Sequence, residues 1–149
     1  VFHESSREII QKYKKLGHNQ LFLSDPIKFS EILLENRIRQ YENAEKLNFK
    51  NVFFDRGIPD ILAYLTYKNV SFGKNFDDPS NNLRYDYVFI AEPWEKIFKN
   101  DEERYESFEE LKIINKHIKT TYSGNGYDYF ILPEDSIEQR VNFIIKTIK

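Results

Sequence analysis

Four short apolar runs divide the chain, and the segments between them repeat apolar residues at the three- and four-residue steps of helices. The apolar runs are Val1–His3, Asn51–Phe54, Tyr85–Ala91 and Tyr127–Leu132. The run that ends at Phe54 shows no alternation, which predicts a strand buried on both faces. The order strand, helix, helix, strand, helix, strand, helix, strand, helix predicts an α/β fold with a mainly parallel sheet.

Capping residues place the ends of the predicted helices. Asp25 followed by Pro26 predicts the start of a long amphipathic helix that runs to about Lys46. Arg37 and Arg39 fall on different faces of this helix, and we expect both on a solvated surface. The other predicted helices begin at Ser5 or Ser6, near Ile58, near Phe108, and at Asp135 or Ser136.

One long stretch lacks a clear period. Residues 69–82 are polar and contain Gly73 and the sequence Asp77-Asp78-Pro79. This composition predicts a loop or a broken helix, and we expect it to be the mobile or partner-dependent part of the chain.

Composition narrows the possible functions. The 149 residues fit a single domain over 1–149, and the net charge of −2 gives no strong attraction to nucleic acid or anionic membranes. No cysteine is present, which excludes disulfides and thiolate metal sites and is compatible with a reducing compartment. We predict a cytoplasmic location. The three histidines are scattered and form no His-x-x-x-His pair, which argues against a zinc site, and no Gly-x-Ser-x-Gly motif supports a serine hydrolase.

Acids and arginines gather at the predicted strand ends. Glu4 with Arg7 follows the first strand, and Asp55 with Arg56 follows the second. The structural alternatives are a first-turn acid for Glu4 and a helix N-cap for Asp55. Phosphoryl transfer uses the same residue types, because an acid orients the nucleophile or holds the metal and arginines neutralise the moving phosphoryl group.

In order along the chain, these residues form a recognisable set. The segments are Glu4-Ser5-Ser6-Arg7-Glu8-Ile9-Ile10, Phe54-Asp55-Arg56-Gly57-Ile58-Pro59-Asp60, Pro93-Trp94 with Asp101-Glu102-Glu103-Arg104, and Ser136-Ile137-Glu138-Gln139-Arg140-Val141. The chain thereby resembles the NadR-type AAA/ATPase family of P-loop proteins, whose relatives include nicotinamide riboside kinase domains and nucleoside kinases. The resemblance implies a P-loop NTPase-like three-layer sandwich.

The resemblance also implies roles on the acceptor side. Glu4 matches an acid that contacts the acceptor hydroxyl and can act as general base, and Arg7 matches its neighbouring arginine. Asp55 and Arg56 match the acid and arginine near the metal and the acceptor. Asp60 belongs to the same motif and is expected to bind substrate.

On the donor side, Arg104 matches the catalytic arginine of a mobile lid at about 94–106. Pro133, Asp135 and Ser136 lie where such proteins flank the nucleotide base. The implied cofactor is Mg²⁺ with ATP, and the implied partners are a nucleotide and a small-molecule acceptor.

The departure from the family is the phosphate loop. No Gly-x-x-x-x-Gly-Lys-Ser/Thr motif occurs in the 149 residues, and Gly73-Lys74 lacks the upstream glycine and strand. The chain starts at Val1 and contains no methionine, so we expect a strand, loop and helix of about 25–30 residues ahead of Val1. The alternative is a chain that has lost the loop and fills the gap otherwise.

Three functions stay open at this point. The first is an ATP-dependent kinase for a small, nucleoside-like acceptor. The second is a nucleotide-binding regulatory switch that signals through residues 69–82 and the lid with little catalysis. The third is a non-catalytic remnant that uses the fold only for contacts.

Overall fold

The computed structural model describes residues 1–3, 6–15, 21–98 and 106–149, with the backbone alone for Arg7 and Glu8. The chain divides into two compact units, Val1–Arg84 and Tyr85–Lys149. The single domain over 1–149 stays a prediction.

The described part of the first unit is mainly helical. Its helices are α1 Ser6–Lys15, α2 Leu21–Ser24, α3 Pro26–Glu45, α4 Pro59–Tyr67 and α5 Lys74–Asn82. The second unit contains β1 Val88–Ile90, a 3₁₀ turn Glu95–Ile97, α6 Phe108–Gly124, β2 Tyr129–Ile131 and α7 Ile137–Thr147.

The predicted strands pair in parallel, two in each unit. Strands β1 and β2 are in register from Val88 opposite Tyr129 to Ile90 opposite Ile131. In the first unit a parallel bridge joins Phe2 to Phe54. The parallel α/β character predicted from the sequence is confirmed, while the three-layer arrangement of a full P-loop fold stays a prediction.

Helix α3 organises the core of the first unit. The Asp25 side chain accepts a hydrogen bond of 2.9 Å from the backbone N–H of Lys28, and Pro26 occupies the first helical turn, as the sequence predicts. The apolar face of α3 packs with α4 and α5. The buried members of this cluster include Phe29, Leu33, Leu34, Ile58, Ile61, Leu62, Leu65 and Phe76.

Of the two alternatives predicted for residues 69–82, a loop or a broken helix, the loop is wrong for most of the segment. Residues Lys74–Asn82 form α5, on which Phe76 and Ser80 are buried. These two residues are four positions apart and therefore share one helix face. Packing of that face against the core outweighs the polar composition and Pro79.

Two burial predictions are also wrong. The segment ending at Phe54 is not covered on both faces, because Phe53 is 40% exposed and burial alternates along it. In the described residues this segment has one bridge partner, Phe2. The Arg37 side chain is 6% exposed and lies inside the protein, whereas Arg39 is exposed as predicted.

The second unit has a smaller core around its strands, formed by Val88, Ile90, Tyr122 and Tyr127. Helix α6 begins with a capping box in which Ser107 and Glu110 bond each other's backbone N–H groups. It continues past the predicted end near Tyr122 to Gly124, and Gly126 at φ 73° follows the C-cap. No helix within the described ranges is long and apolar enough to cross a membrane.

Candidate functional site

The turn after Phe54 carries Asp55 and Arg56, the second pair of predicted site residues along the chain. Phe2 donates a backbone hydrogen bond of 2.7 Å to the carbonyl of Phe53, and Asp55 returns one of 2.7 Å to the carbonyl of Phe2. Asp55 is therefore the last residue tied to the bridge, and its side chain is exposed. The carboxyl ends of parallel-paired segments are where α/β proteins bind ligands.

The conformation of this turn is unusual. Arg56 has φ 79°, in the left-handed region that residues with a Cβ rarely adopt. Its Nη1 donates a 3.2 Å hydrogen bond to Oδ1 of Asp60, and the backbone N–H of Gly57 donates one of 3.0 Å to Oδ2. Backbone strain of this kind is typical of functional sites, where surrounding contacts hold it.

Asp60 thus has an observed local role that the sequence did not indicate. Its carboxylate is 14% exposed and fixes Arg56 and Gly57. The N-cap of α4 is Ile58, which makes no side-chain capping bond. The alternative of Asp55 as the helix N-cap is therefore wrong, and the binding of substrate by Asp60 stays a prediction.

An aromatic stack fixes the position of the turn against α3. The ring centroids of Phe2 and Phe54 are 5.4 Å apart, and those of Tyr41 and Phe54 are 6.1 Å apart. The Tyr41 hydroxyl donates a 2.8 Å hydrogen bond to the carbonyl of Arg84, and the amide of Gln40 donates one of 3.1 Å to His3. The bridge and the C-terminal half of α3 are thereby held together.

The first predicted pair is only partly described. Glu4 lies outside the described residues, directly after His3, whose carbonyl accepts from Gln40. Arg7 lies in the first turn of α1, with its backbone alone described. The roles of Glu4 and Arg7 stay predictions.

In the second unit, the end of β1 carries an ion pair that the sequence did not single out. Lys119 on α6 lies 2.5 Å from the Glu92 carboxylate through its Nζ. This hydrogen bond raises the pKa of Lys119 above the usual 10.5; desolvation opposes the rise, and the negative charge of Glu92 adds to it. The partners are 27 positions apart, so no local spacing could have revealed them.

The segment expected near the nucleotide base is used for helix capping. Ser136 Oγ accepts a 3.3 Å hydrogen bond from the backbone N–H of Gln139, and Asp135 Oδ1 accepts one of 2.6 Å from the backbone of Ser136. The carbonyl of Pro133 accepts from Asp135 at 3.0 Å. The predicted cap of α7 is confirmed, while contact of these residues with a nucleotide stays a prediction.

The lid predicted at about 94–106 is described only at its ends. Arg104 lies outside the described residues. At the N-terminal end of the segment, Glu95–Ile97 forms the 3₁₀ turn. The ring centroids of Phe98 and Phe108 are 5.4 Å apart. This ring contact brings the two ends of the segment together.

The donor set at the turn is compatible with magnesium. Mg²⁺ is usually held by one or two carboxylates together with waters and substrate phosphates. Asp55 supplies one exposed carboxylate, and no cluster of three or more histidines, cysteines or acids that could hold a metal exists among the described residues. Asp55 is the described residue that could hold such a metal, together with the phosphates of a nucleotide.

The short strands paired in parallel, with helices between them along the chain, fit a P-loop-like class of α/β protein. A family model for an AAA domain matches residues 1–140, and the chain belongs to this family of nucleotide-binding P-loop domains. No curated protein and no solved structure matches the chain.

Proposed function

We propose that the protein is a P-loop kinase-like ATPase that transfers the γ-phosphoryl group of ATP to a small, nucleoside-like acceptor. The observation that carries this proposal is the turn at Asp55–Gly57. An exposed carboxylate and an exposed guanidinium stand at the end of a parallel-paired segment, in a strained backbone that Asp60 holds. Strain at such a place supports a role in binding or catalysis rather than in folding.

The proposed reaction is an in-line displacement. The acceptor hydroxyl oxygen forms a bond to the γ-phosphorus, the bond to the β,γ-bridging oxygen breaks, and ADP leaves. The hydroxyl proton passes to a carboxylate, for which Glu4 and Asp55 are the candidates. Bound Mg²⁺ supplies charge neutralisation on the phosphates.

Arginines supply the remaining positive charge. The Arg56 side chain is 48% exposed, and its Nη1 is oriented by Asp60. A guanidinium held in one orientation binds phosphoryl oxygens at a smaller entropic cost. We assign Arg7 and Arg56 to the acceptor and Arg104 to the transferring phosphoryl group.

The donor phosphates need a phosphate loop, which the 149 residues do not contain. Its backbone N–H groups and lysine cradle the phosphates in P-loop proteins. The family therefore predicts a Gly-x-x-x-x-Gly-Lys-Ser/Thr motif encoded ahead of Val1. Reading the gene upstream of the Val1 codon tests this directly.

The test of the function uses the protein expressed from its complete reading frame. Small hydroxyl compounds are screened for ATP-dependent phosphorylation by mass spectrometry of the products. We expect one compound class to be phosphorylated and D55N to lower the rate at least a hundredfold. The matched control is D86N, which alters an exposed aspartate in the other unit and should leave the rate unchanged.

The outcomes separate the three functions. ATP binding without phosphorylation of any compound would favour the regulatory switch. Absence of both ATP binding and phosphorylation would favour the non-catalytic remnant. Equal rates for D55N and the parent protein would remove Asp55 from the site.

A further inference from the structure

Arg37 is a buried cation whose Nε–H group is not paired by any described residue. Its side chain is 6% exposed, and its Nε has no hydrogen-bond partner within the described part of the chain. Burying a guanidinium away from water is unfavourable unless an anion and hydrogen-bond acceptors compensate it. An anion is therefore expected beside this side chain.

The position of Arg37 on α3 identifies the neighbouring structure. Four residues later, Tyr41 stacks on Phe54 at 6.1 Å. About one turn earlier, Leu33 belongs to the cluster that contains Ile58. Residues three and four apart lie above one another on one helix face, so we infer that Arg37 faces the stretch between Phe54 and Ile58. Those residues form the Asp55–Gly57 turn.

The turn does not provide the missing anion. Asp60 directs its two carboxylate oxygens at Gly57 and Arg56, at 3.0 and 3.2 Å. Asp55 is exposed to solvent, whereas Arg37 is buried.

We propose that Arg37 binds an oxyanion, a phosphate or a carboxylate, on the acceptor molecule. A guanidinium presents parallel N–H groups that match two oxygens of either group. This proposal rests on the proposed function, because it places the acceptor beside Asp55. It also narrows the acceptor class, from a neutral nucleoside-like compound to one that carries an acidic group near its reacting hydroxyl.

The first measurement follows the Nε–H group of Arg37 itself. The protein from the complete reading frame is labelled with ¹⁵N and saturated with Mg²⁺ and a non-hydrolysable ATP analogue, which occupies the donor site. The ¹⁵Nε–¹Hε signal of Arg37, assigned by its loss in R37K, is followed during titration with inorganic phosphate and, separately, with acetate. We expect a saturable shift, and the more effective anion identifies the acidic group.

The second measurement compares variants by calorimetry with the same two anions. R37K keeps the charge but loses the fork of donors, and R37M loses both. We expect the dissociation constant to rise at least tenfold in R37K and binding to vanish in R37M. The matched control is R39M, which removes an exposed arginine two residues away and should bind as the parent protein does.

Two results would overturn the proposal. An Arg37 signal that responds to neither anion, or an R37K variant with parent affinity, would show that the guanidinium is paired inside the protein. If R37M does not fold, the anion affinity of R37K and the Arg37 signal of the parent protein still test the proposal. Both measurements report anion binding and not catalysis. If the Arg37 signal shifts with an anion but no compound is phosphorylated, the anion site stands and the proposed kinase function is rejected.

Discussion

Arg56 donates a hydrogen bond from its guanidinium to the carboxylate of Asp60 at 3.2 Å while its own backbone stands at φ 79°. The carboxylate of Asp60 also accepts from the backbone N–H of Gly57, so one side chain holds both the backbone and the side chain of the turn. Non-glycine residues pay about 1–2 kcal/mol for such a backbone. Backbone geometry alone would favour glycine at position 56. An arginine at this position therefore indicates that its side chain has a role.

Replacing Arg56 by glycine separates function from stability. Glycine adopts φ 79° without strain but has greater freedom in the unfolded chain, so R56G should change the free energy of unfolding by less than about 1 kcal/mol. We expect ATP-dependent phosphorylation to fall at least tenfold, because the guanidinium is lost. Urea unfolding and the product assay measure the two quantities.

The chain offers a matched control in Asn69, which also has a positive φ, 54°. N69G should leave both stability and phosphorylation nearly unchanged. Full activity in R56G would show that the arginine serves only the turn. A loss of several kcal/mol would show that its bond to Asp60 matters more for folding than the geometry indicates.

The Lys119–Glu92 ion pair predicts a pH dependence of stability. Its hydrogen bond and the charge of Glu92 raise the pKa of Lys119 in the folded state above 10.5. The folded protein therefore binds this proton more tightly than the unfolded chain does. The stabilisation is complete below pH 10.5 and disappears as the pH rises through the higher folded-state pKa.

Unfolding by urea between pH 8 and pH 12 would show this effect. The parent protein should lose stability relative to K119M as the pH passes through the upper end of that range. E92Q should behave as K119M does, because either change removes the charged pair. A stability difference that stays constant with pH would contradict the assignment.

Replacing two fully buried serines by alanine should change the free energy of unfolding in opposite directions. Ser30 on α3 has no hydrogen-bond partner for its Oγ among the described residues. Ser80 on α5 does have an interaction partner. An unsatisfied buried hydroxyl costs about 1–3 kcal/mol, and alanine is the better helix former. S30A should raise the free energy of unfolding by about 1 kcal/mol, and S80A should lower it by about the same amount.

Chemical denaturation of the two variants, measured side by side, checks both signs. Each variant replaces a serine by alanine in a helix of the first unit, so both gain the same helix propensity. The difference between them therefore reports on the hydroxyl's partner. Destabilisation by S30A would mean that the hydroxyl has a partner outside the described residues.

Arg104 tests the lid that the sequence predicts. R104A in the protein from the complete reading frame should lower turnover at least a hundredfold, since removal of an arginine that clamps a transferring phosphoryl group has effects of this size or larger. Thermal stability should change little. K96A removes an exposed lysine inside the same segment and should leave turnover unaltered. Unchanged phosphorylation in R104A would reject the lid assignment.

Much of the local structure followed from the sequence. The Asp25-Pro26 start of α3, the apolar runs at Phe54 and Val88 with their parallel character, and the Ser136 cap all form as predicted. These features depend on hydrogen bonds between residues a few positions apart, or on runs of apolar residues. The family and the acid–arginine turn were also visible in the sequence, since they are contiguous motifs.

The tertiary structure decided the features that depend on distant residues. Arg37 is buried although its helix pattern allowed a surface position, and Lys74–Asn82 is helical although its composition is that of a loop. The sequence also did not indicate the ion pair of Lys119 with Glu92 or that of Arg56 with Asp60. Burial and pairing of a side chain depend on what packs against it, and packing brings together residues whose separation along the chain carries no periodic signal. The sequence alone determined which segments form and which chemistry they offer, and the packing determined which of those groups are buried, paired or strained.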